Sequence, residues 1–314
     1  MKRSKPCAAG RPDPARRSAL GRLGGVLASL AQEVAPDDAE TSTDDTDEEA
    51  EPVEAREPQP WQQTADGHTP RWGMAIDLDA CTACGGCVTS CMVENNVPMT
   101  GQDPEAAGTT ISWMTLVPDG AAEPSALDVL ERLPVPCMHC DDAPCTKVCP
   151  VNATYVNPEG IVAQIWDRCI GCRYCQVACP YSRRSFNWKH PEVPETYRSM
   201  LNPDVATRPD GVVEKCTFCH HRLRKKKHEA RREDRPIRDE DFRRLPACAE
   251  DCPTGAITFG DLDEPGSEVA RLAASPRARR LLEELGTEPK VFYLSRNPLD
   301  GPDGPDGPDP EDGR

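Results

Sequence analysis

Apolar residues along this 314-residue chain come in short stretches that lead into cysteines. Arg71–Leu78 predicts a strand that runs into the first cysteine group. Thr154–Val156, the turn Asn157–Gly160 and then Ile161–Trp166 predict a β-hairpin. This hairpin delivers the chain directly to Cys169.

Helix-start and helix-stop residues predict two helices and then a strand near the C-terminus. A serine caps the first helix, a Ser-Pro step starts the second, and a glycine stops the second after three leucines on one face. The segments are Ser267 to Ala274, Ser275-Pro276 to Gly286 with Leu281, Leu282 and Leu285, and Lys290–Leu294. We expect this region to serve in packing or docking.

A Cys-Pro step recurs three times, each time ahead of a short β-like segment. Cys149-Pro150 through Tyr155 matches Cys252-Pro253 through Phe259. Cys179-Pro180 followed by Phe186 is a looser copy. The chain therefore contains an internal repeat centred on cysteines.

Composition indicates a lean hydrophobic core. Apolar residues make up 37% of the sequence and aromatics 5%, and there are 33 prolines, for a length that allows one or two domains. The 17 cysteines are the obvious substitute for a large aliphatic core.

The formal charge of −16 is concentrated in two segments. Residues 33–60 carry twelve acidic side chains and one arginine, and residues 300–314 carry six acidic side chains and one arginine. Both segments are poor in apolar residues, so we predict solvated disorder for them. No stretch reaches the roughly eighteen apolar residues of a membrane-spanning helix, so any membrane partner must be another chain.

The N-terminus resembles a twin-arginine export signal. Arg16-Arg17-Ser18-Ala19-Leu20 precedes a weakly apolar stretch, Leu23 to Ala31, which ends in small residues suited to cleavage. Export of a folded protein would allow cofactors to be inserted first, which predicts the periplasmic face of the cytoplasmic membrane. The alternative is a basic leader on a cytoplasmic protein that associates with the membrane through a partner.

Sixteen of the cysteines form four groups. The first and third have the spacing C-x2-C-x2-C-x3-C, the second has a longer middle gap, and the fourth is split into two pairs. The groups are Cys81, Cys84, Cys87, Cys91; Cys137, Cys140, Cys145, Cys149; Cys169, Cys172, Cys175, Cys179; and Cys216, Cys219, Cys248, Cys252. Cys7 is left over.

This spacing is typical of [4Fe–4S] ligands. Three thiolates of such a loop converge on one cubane, and the fourth ligates the other cluster of a two-cluster ferredoxin. Zinc sites use paired C-x2-C units, and disulfides would not explain four near-repeats. Sixteen ligands at four per cubane predict four [4Fe–4S] clusters.

A basic run, His220-His221-Arg222 to His228 with Arg231-Arg232, lies inside the fourth group. The simplest interpretation is a solvated face, and the alternative is docking to an acidic partner or to the acidic linker. Nothing else supports nucleic-acid binding. His139, His220 and His221 adjoin cysteines, but sixteen thiolates already suffice as ligands.

The chain resembles the four-cluster iron–sulfur (beta) subunits of molybdopterin oxidoreductase complexes, such as dimethyl sulfoxide, polysulfide and tetrathionate reductases and formate dehydrogenase, with related modules in alternative complex III. The resemblance runs from about Trp72 to Leu294. The matching stretches include Ile76-Asp77 to Asn96, Pro136 to Tyr155, Asp167 to Trp188, Val213 to Cys219, Gly260 to Asp263 and Leu281 to Leu294.

The resemblance implies an α+β, loop-rich fold of two pseudo-symmetric ferredoxin-like dicluster halves. One half would comprise 71–136 with 205–262 and the other 137–204, after a leader (1–31) and an acidic linker (32–70) and before an extension (263–297) and a tail (298–314). It also implies the ligand sets Cys81, Cys84, Cys87 with Cys252; Cys216, Cys219, Cys248 with Cys91; Cys137, Cys140, Cys145 with Cys179; and Cys169, Cys172, Cys175 with Cys149.

By the same resemblance, the chain would pass electrons between a molybdopterin-containing catalytic subunit and a quinone-reactive integral membrane subunit. The sequence offers no nucleophile–base pair and no open-site metal motif, so we predict no substrate chemistry on this chain. A free-standing polyferredoxin and a zinc- or disulfide-stabilised interaction module are the alternatives.

Overall fold

The computed structural model describes residues 63–64, 67–98, 109–118, 132–189, 193 and 195–295. The predicted leader, nearly all of the acidic linker, the C-terminal tail and Cys7 lie outside the described residues.

Short elements separated by loops build the described part of the chain. The strands are β1 (Trp72–Asp77), β2 (Thr115–Pro118), β3 (Arg132–Val135), β4 (Thr154–Val156), β5 (Val162–Gln164), β6 (Ser185–Phe186), β7 (Val213–Glu214), β8 (Ile257–Asp261), β9 (Ala278–Arg279) and β10 (Val291–Leu294). The α-helices are α1 (Gly86–Glu94), α2 (Pro144–Lys147), α3 (Tyr174–Val177), α4 (Glu195–Arg198), α5 (His220–Arg232), α6 (Ala247–Glu250) and α7 (Glu268–Ala273). This mixture of helices and small sheets agrees with the α+β expectation, while the division into two pseudo-symmetric halves stays a prediction.

A four-stranded sheet joins the two ends of the described chain. Its strand order is β8-β1-β10-β9, with β1 parallel to β10 and antiparallel to β8. The expected strands Arg71–Leu78 and Lys290–Leu294 are thus confirmed as neighbours in one sheet. The C-terminal extension therefore packs beside the strand that leads into the first cysteine group.

Side chains alternate between the two faces of this sheet because successive residues of a strand point to opposite sides. Trp72, Met74 and Ile76 enter the main core with the cysteines. Ala75, on the other face, packs with Val269 of α7 and with Leu294. The cysteine loops therefore pack against the face of the sheet that carries Trp72, Met74 and Ile76.

The other sheets have two strands each: β2 with β3, β4 with β5, and β6 with β7. The predicted hairpin is confirmed, since Thr154 pairs with Gln164 and Val156 with Val162. The predicted cap of α7 is confirmed as well, because the hydroxyl of Ser267 accepts a hydrogen bond from the amide of Ala270 at 3.1 Å.

The second C-terminal helix predicted from Ser275-Pro276 is wrong. The chain instead forms β9, which pairs antiparallel with β10, and then one 3-10 turn, Glu283–Leu285. Leu282 adopts a left-handed φ of 50°, which a continuous helix cannot accommodate. Gly286 does end the turn, as expected of a left-handed C-cap.

The basic run forms α5, the longest helix of the described residues, and it contacts acidic side chains of the folded body. Arg222 and His221 bind Glu94, Lys225 binds Asp204, and Lys227 binds Glu159. Much of its charge is therefore neutralised within the fold. Its expected contact with the acidic linker lies outside the described residues.

Within the described part of the chain, no helix combines the length and the apolar character needed to cross a bilayer.

Candidate cluster-binding sites

In each cysteine group, the first C-x2-C step has a left-handed residue just before its second cysteine. These residues, with φ between 44° and 70°, are Ala83, His139, Gly171 and Phe218. A left-handed residue within a turn aims successive backbone N–H groups into one concavity, a geometry found at anion and iron–sulfur sites. The shared backbone shape therefore explains why the loops recur with such different side chains between the cysteines.

Backbone N–H groups also point at the sulfurs. The amide of Ala83 donates to Cys81 Sγ at 3.5 Å, that of Phe218 to Cys216 Sγ at 3.4 Å, and that of Ala153 to Cys149 Sγ at 3.2 Å. Such donors stabilise a thiolate over a thiol.

The structure brings Cys252 to the first cysteine group. Cys81, Cys84, Cys87 and Cys252 line one cavity, whose wall is completed by Leu116 and Pro134. We call this the first site. Cys252 lies in the turn before β8, and β8 pairs with β1, so the sheet register carries this distant cysteine to the loop after β1.

The second site consists of Cys91 with Cys216, Cys219 and Cys248, and all four side chains are buried. The thiol of Cys91 interacts electrostatically with the other three. Asn95 Nδ2 lies 3.8 Å from Cys91 Sγ and 3.7 Å from Cys219 Sγ. Helices α1 and α6 supply Cys91 and Cys248.

The third site gathers Cys137, Cys140, Cys145 and Cys179, whose thiols interact electrostatically. The fourth site gathers Cys149, Cys169, Cys172 and Cys175 around one cavity. In both sites the cysteine that completes the set is the one followed by proline, Cys179 or Cys149.

Each site neighbours the next, in the order first, second, third and fourth. Cys87 of the first site interacts electrostatically with Cys91 and Cys248 of the second. Cys216 of the second site interacts with Cys137 of the third, and Cys145 of the third with Cys175 of the fourth. Exposure follows the same order, because the two exposed cysteines of the described chain are Cys84 in the first site and Cys172 in the fourth.

Burial keeps the interior thiols protonated until a metal displaces the proton. It raises the pKa of Cys87 to about 11 and of Cys140 and Cys216 to about 12, with neighbouring thiols adding to the shift. Thiolate ligands must lose their protons, so metal binding here releases protons.

The two cysteines of the matched Cys-Pro repeats behave differently. Burial opposes ionisation of Cys149 and Cys252, but hydrogen bonds outweigh it and lower the pKa of both thiols. For Cys149 the donors are backbone N–H groups of the turn that follows, and for Cys252 the hydroxyl of Thr254 adds to them. The repeat therefore supplies two thiols that form the thiolate more readily.

Polar groups around the sites fit a cluster. His139 is fully buried and stacks on Phe218 with ring centres 3.7 Å apart. Its Nδ1 accepts a hydrogen bond from the amide of Val162 at 3.2 Å, so Nε2 carries the proton of the neutral ring. Nε2 forms no well-aligned hydrogen bond within the described residues, but the ring lies within reach of the backbone of Cys216, a cysteine of the second site. His221 contacts Glu94, and His220 is exposed.

All sixteen cysteines of the described chain are free thiols. No three Cys, His, Asp or Glu side chains of these residues converge as ligands of a single metal ion do. Four thiolates on one zinc would lie about 3.8 Å apart, given Zn–S bonds of about 2.3 Å. A cubane binds each thiolate at a different iron corner, so its ligands lie further apart than those of one ion.

Sequence reasoning missed several polar residues of the sites. Asn95 follows α1, Lys215 precedes the fourth group with its ammonium on the carbonyl of Cys216 at 2.7 Å, and Arg184 reaches Cys145 Sγ at 2.9 Å. The Arg183-Arg184 pair, which follows Cys179-Pro180 after two residues, was the one visible signal, since a charge so close to a predicted ligand must face either it or solvent.

Comparison with known proteins assigns the class. Residues 129–195 match the family model described as a 4Fe-4S dicluster domain. Together with four loops shaped for thiolate ligands, this match defines a ferredoxin-type [4Fe–4S] protein.

Relatives narrow the class to a family. The iron-sulfur cluster-binding subunit of menaquinone reductase from Nitratidesulfovibrio vulgaris is 48% identical over 232 residues, which cover 72% of this chain and 89% of that protein. The iron-sulfur subunit of a dimethyl sulfoxide reductase assigned in Halobacterium salinarum is 42% identical, covering 71% and 79%. A subunit of tetrathionate reductase from Salmonella typhimurium is 35% identical, covering 71% and 72%.

The chain belongs to the family of iron–sulfur subunits of molybdopterin oxidoreductase complexes, and its function is electron transfer through [4Fe–4S] clusters. The resemblance seen in the sequence is thereby confirmed.

Proposed function

We propose that this chain holds four [4Fe–4S] clusters, one in each of the four sites, and conducts electrons through this series from the first site to the fourth or in the reverse direction. The observation that carries the proposal is the pattern of exposure along the series, with exposed thiols in the end sites and a fully buried second site between them. Electron exchange with partners requires clusters near the surface at both ends of the series, and the clusters between them must be shielded from water. The proposed ligands are the four cysteines of each site.

A bound cluster would accept or donate one electron, and the residues of this chain would hold it, exclude water from it and donate hydrogen bonds to its ligand sulfurs. Buried side chains such as Phe218 and Leu223 exclude water from the second site. The exclusion of water lowers the reorganisation energy of electron transfer, because fewer solvent dipoles must reorient. Backbone N–H groups and Asn95 donate to ligand sulfurs and thereby stabilise the negative charge that reduction adds.

We further propose that the ends of the series contact different partners, a molybdopterin-containing catalytic subunit at one and a quinone-reactive membrane subunit at the other. The names of the relatives support both, since they include reductases of dimethyl sulfoxide and tetrathionate and a menaquinone reductase. Large apolar side chains around the fourth site add support. Ile170, Tyr174 and Val177 are 64%, 65% and 84% exposed, which is typical of a surface that a partner covers.

Exchange of Cys252 for serine tests the proposed ligand sets. Cys252→Ser should alter the EPR spectrum and potential of the first-site cluster, over one hundred and fifty residues away in sequence, because Cys252 completes that site. Cys248→Ser is the matched control, four residues earlier in the same segment, and should alter the second-site cluster instead. The assignment of signals comes from Cys81→Ser for the first site and Cys216→Ser for the second.

If Cys252→Ser changes the same signal as Cys216→Ser, the proposed exchange of the fourth ligand between groups is wrong. Purification of the native protein without any co-purifying subunit would favour a free electron carrier over a subunit of a complex.

A further inference from the structure

Arg184 is a buried cation at the junction of two proposed clusters. Arg184 is only 3% exposed. Its Nη2 donates to Cys145 Sγ at 2.9 Å and to Thr154 Oγ1 at 2.8 Å. Its Nη1 donates to Gln164 Oε1 at 3.1 Å. The guanidinium is therefore fixed in one orientation with a hydrogen bond to a ligand sulfur of the third site.

The β4–β5 hairpin provides this fixation. Thr154 and Gln164 lie directly opposite each other in its register, and the Thr154 hydroxyl donates to the carbonyl of Ala163 at 2.9 Å. Thr154 therefore has its hydrogen committed and offers Arg184 only a lone pair. Both supporting residues are neutral, so they orient the guanidinium without balancing its charge.

The charge of Arg184 has no carboxylate partner among the described residues. Arg208, equally buried, pairs with Glu214 at 2.7 Å, which is how a folded chain usually compensates a buried cation. Around Arg184 the negative groups are sulfurs, and it interacts electrostatically with Cys145 and Cys137 of the third site and with Cys175 of the fourth. Its counter-charge must therefore come from cluster-bound thiolates.

We propose that Arg184 sets the reduction potentials of the third-site and fourth-site clusters, raising that of the third site most. This inference rests on the proposed function, since it requires clusters in both sites. Reduction adds a negative charge to a cluster whose four thiolates already leave it anionic, and a nearby positive charge in a medium of low polarity stabilises the reduced form. The direct hydrogen bond to Cys145 acts in the same direction.

Two variants separate the charge from the structural role of the side chain. Arg184→Gln removes the charge. Gln164→Glu keeps Arg184 and its bond to Cys145 but places a carboxylate against Nη1, in a side chain of nearly the same shape as glutamine. Both should lower the third-site potential so that, at a fixed solution potential, the ratio of reduced to oxidised cluster falls tenfold, or about 59 mV for one electron.

The control is Arg168→Gln, which removes an exposed arginine next to Cys169 of the fourth site. Water screens this charge. At a fixed solution potential, the variant should therefore keep the ratio of reduced to oxidised cluster within twofold of the wild-type value at every site. Potentials are measured by EPR-monitored redox titration of the full-length protein, and the third-site signal is identified with Cys140→Ser.

The outcomes distinguish this inference from the proposed function. If the wild-type protein contains no clusters, the proposed function fails. If Gln164→Glu contains its clusters and leaves the third-site potential unchanged, the inference is overturned whether or not Arg184→Gln can be loaded. If the third-site potential shifts in Arg184→Gln but not in Gln164→Glu, Arg184 has a structural role and the inference is overturned as well.

Discussion

At the scale of single residues, the cysteine loops depend on close backbone contacts as much as on cysteines. Gly171, between Ile170 and Cys172, has a φ of 70°, and a Cβ added there would lie 2.3 Å from the carbonyl oxygen of Gly211. Ala83 occupies the corresponding position of the first group with a φ of 50°. The contact with Gly211, and not the left-handed φ alone, therefore requires glycine in the third cysteine group.

Gly171→Ala should displace the loop that carries Cys169 and Cys172 and thereby destabilise the fourth-site cluster. The new Cβ would contact a backbone oxygen, and this clash cannot be relieved by rotation of a side chain. We therefore expect loss of one cluster, about four irons from a total of about sixteen. Iron analysis and the fourth-site EPR signal measure the effect.

Gly211→Ala is the matched control, since Gly211 also has a positive φ, of 78°, but a Cβ there would meet nothing within 4 Å. It should cost only about 1–2 kcal/mol of left-handed strain and retain full iron. Equal iron loss in both variants would show that φ, and not the contact, decides the effect.

At the scale of elements, one carboxylate joins α1, which carries Cys91, to α5, the helix that begins directly after Cys219. Glu94 ends α1 and accepts hydrogen bonds from Arg222 Nε and Nη2 of α5, each at 2.7 Å, and from His221 at 2.5 Å. Helix α1 carries Cys91, and Cys219 immediately precedes α5. The ion pair therefore holds two ligand-bearing segments together.

Glu94→Gln should weaken this attachment by about 1–2 kcal/mol, a value reduced by partial exposure of the pair. We expect faster hydrogen exchange in α5 and faster loss of iron from the second site to a chelator. Glu229→Gln is the control, because Glu229 pairs with Lys226 inside α5 and, among the described residues, joins it to no other element. If both variants behave like the wild type, Glu94 does not join the helices.

Acid should reveal the same contact. Burial opposes ionisation of Glu94, but the hydrogen bonds from Arg222 and His221 outweigh it and lower its pKa to about 2. An unfolded glutamate has a pKa of about 4.3, so the stabilisation is fully present above that pH and is lost as pH falls towards about 2.

Hydrogen exchange of α5 after brief pulses at pH 6 to 3 measures this, with cluster absorbance recorded in parallel. Protection should be constant above about pH 5 and decline below about 4, and Glu94→Gln should lack the decline. Identical acid profiles in the two proteins would contradict the role of Glu94.

Elements were predictable where local chemistry decides them. Cap, turn and strand signals around Ser267, Asn157–Gly160 and Arg71–Leu78 act within a few residues, and the structure bears them out. The segment after Ser275-Pro276 was mispredicted because its conformation depends on pairing with β10, a strand outside the segment. Arg184 and Asn95 were missed for the same reason, since they contact the sulfurs of Cys145 and Cys219, which are distant in the sequence.

At the scale of the whole molecule, cysteine spacing defines the four cysteine groups, and the family resemblance implies which cysteine completes each site. The structure brings the same four sets of thiols together, through the pairing of β8 with β1 and through turns at the Cys-Pro repeats. Their order and the exposure of the two ends were not predictable, because both depend on how the groups pack against each other. The assignment of individual cysteines as cluster ligands and the export of the protein by residues 1–31 stay predictions.

Electron transfer through all four sites requires four cubanes in one chain. Full-length protein, matured in cells and purified without oxygen, should contain about sixteen irons and sixteen acid-labile sulfides per chain, four of each per cluster. Protein with little or no iron, or with about four zinc ions instead, would contradict it.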